Sequence, residues 1–207
     1  MTKTTTVLSD KFFNDLASRE SSSTVANPYK RQDALANLQL YLQYMDAFPS
    51  AKRVLLVGEA PGHKGCGVTG IPFTSGAVFQ DGQHPLLQQL NSQISLPYVE
   101  SENTATIVWE YLFAKESTPL FWNSFPFHPH PESAQAMNRA PTNDEVYEGV
   151  RYLREIREWY RPDVVASVGW KGMRGLSKAF LGEKFSYIRH PSFGGKRDFI
   201  SGMENII

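Results

Sequence analysis

The chain has a single cysteine, Cys66, in 207 residues. That excludes an internal disulfide and a cysteine-rich metal cluster. It lacks an apolar run long enough to cross a bilayer. It has no excess charge of either sign, because 21 Lys and Arg balance 21 Asp and Glu, so no overall basic signature announces nucleic acid. The N-terminal stretch MTKTTTVLSDKFFNDLASRE holds no apolar signal core and carries acids, which argues against a secretory or transit peptide. An intracellular protein is expected. Repeats, low-complexity tracts and an obvious linker are also missing, and the length suits one domain over residues 1–207.

What is present reads as alternating strands and helices. RVLLVGE (53–59), PLFWNSFPF (119–127), DVVASVG (163–169) and FSYIRHP (185–191) are strand-like. The first and third are the near-continuous aliphatic runs of parallel strands covered on both faces. Helical patterns fall at 33–48, with Asp33 as its cap, at 104–115, at 143–161 and at 170–181, the last ending near Gly182. The third has Val146, Val150, Leu153, Ile156 and Tyr160 at helical spacing, and Thr142 with Glu145 forms a capping box at its start. This alternation predicts an α/β fold, a three-layer α/β/α sandwich around a short, mostly parallel central sheet.

The neutral total hides a segregation of charge. Residues 1–150 are net −5 and residues 151–207 net +5. Arg151, Arg154, Arg157 and Arg161 share a helix, where a solvated face is the ordinary meaning. Arg189 precedes HPSFGGKRDF and Lys196 and Arg197 lie within it, a stretch read as a glycine-containing loop suited to phosphate contact.

Ligands of open α/β sheets bind at the carboxyl ends of the strands. Glu59 ends the first strand in VLLVGEAPGHKG, Asn123 lies late in the second and His190 ends the fourth. Each alone has a bland reading: a solvated acid, an amide bonded to backbone, a half-buried imidazole. Three such groups on one sheet edge point to a site. Three other readings are weaker. GEAPGHKG lacks the G-K-[ST] ending of a phosphate loop. His128 and His130 share a face of an extended segment and, with His63 or His84, make a metal seat, but a third ligand is unassigned and a plain loop is the stronger reading. Ser192 is not in a nucleophile elbow.

GEAPG (58–62), TGIPFTSG (69–76), the strand Asn, NRAPTNDEV (138–146) and HPS (190–192), in that order, resemble the uracil-DNA glycosylase superfamily over residues 50–200. The nearest branch is the one with GEAPG in its first motif, most of whose members carry an iron–sulphur cluster; one cysteine rules that cluster out here. The resemblance implies a monomeric enzyme without cofactor or metal. It would remove uracil or another deaminated base from DNA by hydrolysing the N-glycosidic bond, in base-excision repair, and would be cytoplasmic and nucleoid-associated if bacterial. It implies catalytic roles for Glu59 and His190, and base binding by Gly58, Ala60, Pro61, Gly62, Phe73 and Asn123. DNA contacts fall to Ser192, Phe193, Lys196 and Arg197, with Phe193 as the wedge that fills the gap left by a flipped base. The sequence departs from the best-known uracil-specific branch at Gly62, where that branch has a thymine-excluding tyrosine, and at Ala60, where it has its catalytic Asp. The alternative is a non-catalytic nucleic-acid or nucleobase-binding protein of the same fold, which the neutral charge favours and the retained Glu59, Asn123 and His190 oppose.

Overall fold

The computed structural model describes residues 8–48, 51–115 and 117–207. Along the chain come α1 (Asp10–Ser18), β1 (Val25–Ala26), a 3-10 turn (Pro28–Lys30), α2 (Gln32–Ala47), β2 (Val54–Gly58) and α3 (Cys66–Thr69). Then follow α4 (Gly76–Asp81), α5 (Pro85–Asn91), α6 (Asn103–Leu112), β3 (Leu120–Asn123) and β4 (His128–Pro129). The last part is α7 (Asn143–Tyr160), β5 (Val164–Val168), α8 (Gly169–Ala179), β6 (Ser186–Ile188) and α9 (Lys196–Glu204).

Every residue of VLLVG in β2 is buried, which is why the run is unbroken by polar residues. It forms the interior of a four-stranded sheet of order β3-β2-β5-β6 with all pairings parallel. β1 and β4 make a separate antiparallel pair. From β2 the chain moves to β3 on one side and later to β5 on the other, so the strand order reverses at β2. The carboxyl end of β2 is therefore the switch point at which doubly wound sheets open a crevice. The register sets Gly58 directly opposite Asn123.

Helices flank the sheet. α8 lies against β2, β5 and β6, and α7 packs on α8 and reaches β3. The capping box of α7 is complete: Thr142 Oγ1 accepts from Glu145 N at 3.2 Å and Glu145 Oε2 accepts from Thr142 N at 2.7 Å. Both helices come close to other backbone through glycine, α8 to β2 and α7 to the turn just after β3. A Cβ on Gly172 would lie 2.0 Å from the Val57 carbonyl oxygen, and one on Gly149 would lie 1.9 Å from that of Ser124. Gly172→Ala must push α8 off β2, and a loss of about 1–3 kcal/mol of stability is expected by urea unfolding. An unchanged midpoint would mean that α8 is not locked to the strand.

Several boundaries differ from the sequence reading. Asp33 is not a cap: α2 starts one residue earlier, its N-cap is Arg31, and Asp33 in the first turn pairs with Arg31 at 3.1 Å. The strand expected over 119–127 stops at Asn123, where Ser124 N and Phe125 N turn to the carbonyls of Gly58 and Glu59. The GGKRDF segment is not all loop, since α9 begins at Lys196. Helices α1, α3, α4, α5 and α9 lie where no helix was expected; of these, α5 is capped by His84, whose Nδ1 accepts from Leu86 N at 3.2 Å.

Candidate active site

At the carboxyl end of β2 the chain must turn sharply, and the carbonyls of Glu59, Pro61 and Gly62 are taken up by neighbours. The Glu59 carbonyl accepts from Ser124 Oγ at 2.7 Å and Phe125 N at 3.1 Å. The Pro61 carbonyl lies 2.8 Å from His128 Nδ1, and the Gly62 carbonyl accepts from Gly67 N at 2.9 Å. With these carbonyls held from outside, the loop presents its remaining surface to a cavity of about 1060 Å³. The N–H groups of Ala60 and Gly62 have no acceptor among the described residues.

Glu59, Asn123 and His190 all line this cavity: Glu59 just after β2, Asn123 at the end of β3, and His190 two residues beyond β6, which stops at Ile188 rather than running to 191. Ala60, Pro61, Gly62 and Phe73 line it as well. Gly58 lies beneath them. A Cβ there would stand 2.5 Å from Phe73 Cζ and 3.0 Å from Asn123 Oδ1, so only glycine lets the ring and the amide close over the strand end. Phe73 is held in an unusual backbone conformation, φ 58°, by a hydrogen bond from Trp109 Nε1 to its carbonyl at 2.9 Å. Its ring packs on Phe121 with centroids 4.9 Å apart and planes tilted by 31°.

His190 sits against Gly169, the first residue of α8, whose φ is +76° and whose missing Cβ would lie 3.3 Å from His190 Cβ. The Ser192 N–H donates to His190 Nδ1 at 3.3 Å. Nδ1 is thereby an acceptor, and a neutral ring carries its proton on Nε2. Burial pushes the imidazole below its ordinary value; the Glu102 carboxylate pulls upward and Arg189 downward. The neutral form is thus the one present at pH 7. The Ser192 hydroxyl is engaged elsewhere, 3.1 Å from Thr104 Oγ1 on α6.

The residues assigned to DNA contact divide. Ser192, Phe193 and Lys196 line the cavity. Phe193 is 98% exposed with φ 53°, a ring held out in solvent at the mouth. Lys196 is paired with Glu110 at 2.7 Å, both half in solvent. Arg197 does not line the cavity; it is exposed on the first turn of α9 because the expected loop is helix from Lys196 onward.

Other groups at the site went unread in the sequence. Lys171 of α8 donates to Glu59 Oε1 at 3.5 Å. Asn138 Oδ1 lies 3.1 Å from both His63 N and His63 Nδ1, fixing the far side of the loop. NRAPTNDEV pointed to Asn138 as part of a motif, but nothing local signals Lys171. Cys66 lines the cavity wall, but its thiol is buried and pushed up to about 12, which leaves it protonated. The histidines weighed as metal ligands have other partners. Both ring nitrogens of His128 face carbonyl oxygens, Pro61 and Gln135, and His84 Nε2 lies 3.0 Å from Thr118 Oγ1. Among the described residues, no group of three or more His, Cys, Asp or Glu is placed to hold a metal ion. Nor does any described helix have the length and apolarity to cross a membrane.

Fold and site together define an open parallel α/β protein with a cavity at its switch point, into whose wall an acid, an amide and an imidazole are set. The family model of the uracil DNA glycosylase superfamily matches residues 45–199, about three quarters of the chain. The chain belongs to that superfamily, a family of DNA glycosylases. The crystal structure of wild-type Pedobacter heparinus SMUG2 superimposes with a TM-score of 0.63 at 16% identity, covering 95% of this chain and 94% of that one. That likeness is one of fold. No curated protein matches the sequence.

Proposed function

We propose that this protein excises uracil from DNA as a monofunctional, monomeric glycosylase of base-excision repair. The observation that carries the proposal is the convergence of Glu59, Asn123 and His190 on one cavity from three strand ends. The bond between C1′ of the sugar and N1 of the base breaks with its electron pair going to the base. Positive charge grows on the sugar and negative charge on uracil. Glu59 stabilises the first and orients a water whose oxygen bonds to C1′ and whose proton passes to the carboxylate. His190, neutral and protonated on Nε2, donates to uracil O2, and the free N–H groups of Ala60 and Gly62 assist.

Recognition falls to Phe73 and Asn123. The phenyl ring supplies the flat wall. The amide offers one donor and one acceptor, matching O4 and N3–H of uracil, whereas cytosine presents the opposite pattern. Phe193 enters the duplex as the base leaves it. Ser192, Lys196 and Arg197 meet the backbone phosphates. The exposed Lys196–Glu110 pair is worth little by itself, so a phosphate can replace the carboxylate.

Release of free base from a uracil-containing oligonucleotide, single- and double-stranded, tests this directly. Intact DNA at high enzyme excess would leave only a binding module. Asn123→Asp is expected to lower the uracil-to-cytosine preference by about tenfold or more, since a mismatched buried polar pair costs about 1–3 kcal/mol. Matched uracil and cytosine oligonucleotides measure it, and an unchanged ratio removes Asn123 from recognition.

A further inference from the structure

Three of the four tryptophans, Trp109, Trp122 and Trp159, are buried at 8% exposure or less, and Trp170 is 70% exposed. It is not a stray surface ring. Its indole stacks on Tyr187 with ring centroids 4.4 Å apart and planes 27° apart. Tyr187 is on β6, the edge strand of the sheet, so the pair makes a fixed plane with one broad face in water. Its position is tied to the cavity through its neighbours in sequence. Gly169, just before it, stands against His190, and Lys171, just after it, reaches Glu59. Arg189, two residues beyond Tyr187 and next to His190, is exposed. Lys171 and Arg189 thus set a cation close to each ring in the chain, within the segment 151–207 whose net charge is +5.

We propose that Trp170, backed by Tyr187, is a stacking platform for one unpaired nucleobase of the DNA strand that enters the cavity. The proposal rests on the reading of the cavity as a DNA glycosylase site. Ring plane, open face and adjacent cations are the features by which proteins hold single-stranded nucleic acid: bases stack on aromatics while Lys and Arg follow the phosphates. An indole already pinned by Tyr187 loses little freedom when a base covers it. A base inside a duplex has both faces occupied by its neighbours, so the platform accepts an unpaired base and favours single-stranded or frayed DNA.

Trp170 supplies its own reporter. A short oligothymidine without any deaminated base is titrated into the protein at low salt, with a blunt hairpin duplex as the second arm. The single strand is expected to quench tryptophan emission and to shield it from acrylamide, and the duplex to do so less. Trp170→Phe should abolish the quench yet keep affinity within about threefold by anisotropy of a labelled strand. Trp170→Ala should weaken single-strand binding by about tenfold. Binding without quenching, no binding at all, or an unchanged affinity of Trp170→Ala would overturn the platform. Base release is measured on the same preparations with uracil-containing DNA. Cleavage without quenching sinks the platform and spares the glycosylase reading; quenching without cleavage does the reverse.

Discussion

Glu59→Gln is expected to reduce single-turnover release of uracil by about 10²- to 10⁴-fold, the range typical of a lost acid–base group. The substitution keeps size and hydrogen-bonding capacity and removes only the charge and the ability to take a proton. Folding should be untouched. The Glu59 side chain is 36% exposed, its partner Lys171 is 45% exposed and their contact is long, so the pair contributes little to stability. Thermal unfolding of the variant should therefore overlay the wild type. Binding to uracil-containing DNA should be kept or strengthened, because a negative charge is removed from a surface that faces phosphates. The combination of intact fold, intact binding and collapsed rate is what distinguishes a group acting in the transition state from one holding the loop together. A rate within about threefold of wild type would take Glu59 out of the reaction.

His190→Ala should cost about 10²- to 10³-fold in the same assay, the usual loss for one donor to a developing oxyanion. Its pH behaviour separates two mechanisms. Were the donor an imidazolium, activity would fall as pH rises through the ring's pKa and the proton is lost. Burial holds that pKa below the ordinary value of 6.5, and the ring is already neutral at pH 7. The Nε2–H is retained in the neutral form because Nδ1 is occupied by the Ser192 N–H. The His190-dependent part of the rate should consequently stay level from pH 7 to 8.5. A decline over that interval that is absent from His190→Ala would show a cationic donor and refute the neutral one.

Much of this arrangement was legible because it depends on local pattern. VLLVG announces a strand buried on both faces, and all five residues are buried. Thr142 and Glu145 announce a helix start, and the capping box is there. Glu59, Asn123 and His190 could be assigned to one sheet edge because parallel strands point the same way, and that needs only their positions at strand ends. Where local signals were thin the reading failed. Lys196 and Arg197 follow two glycines, which reads as loop, yet Phe199 and Met203 are buried on one side of α9 and hold those residues in a helix. Asp33 has the chemistry of a cap, but Arg31 occupies that position and Asp33 pairs with it instead.

By itself the sequence determined the four strands of the sheet and four of the helices, the family, and three of the polar side chains of the cavity, since each is written in residues that are neighbours or in motifs that are contiguous. Only the tertiary structure decided that Lys171, 112 residues away, stands beside Glu59. It alone decided that Ser192 sets the tautomer of His190, that Gly58 makes room for Phe73 over Asn123, and that Trp170 lies bare on Tyr187. The physical reason is distance: these contacts form where separate elements meet at a few ångströms, and packing at that scale leaves no periodicity in the chain for a reader of sequence to find.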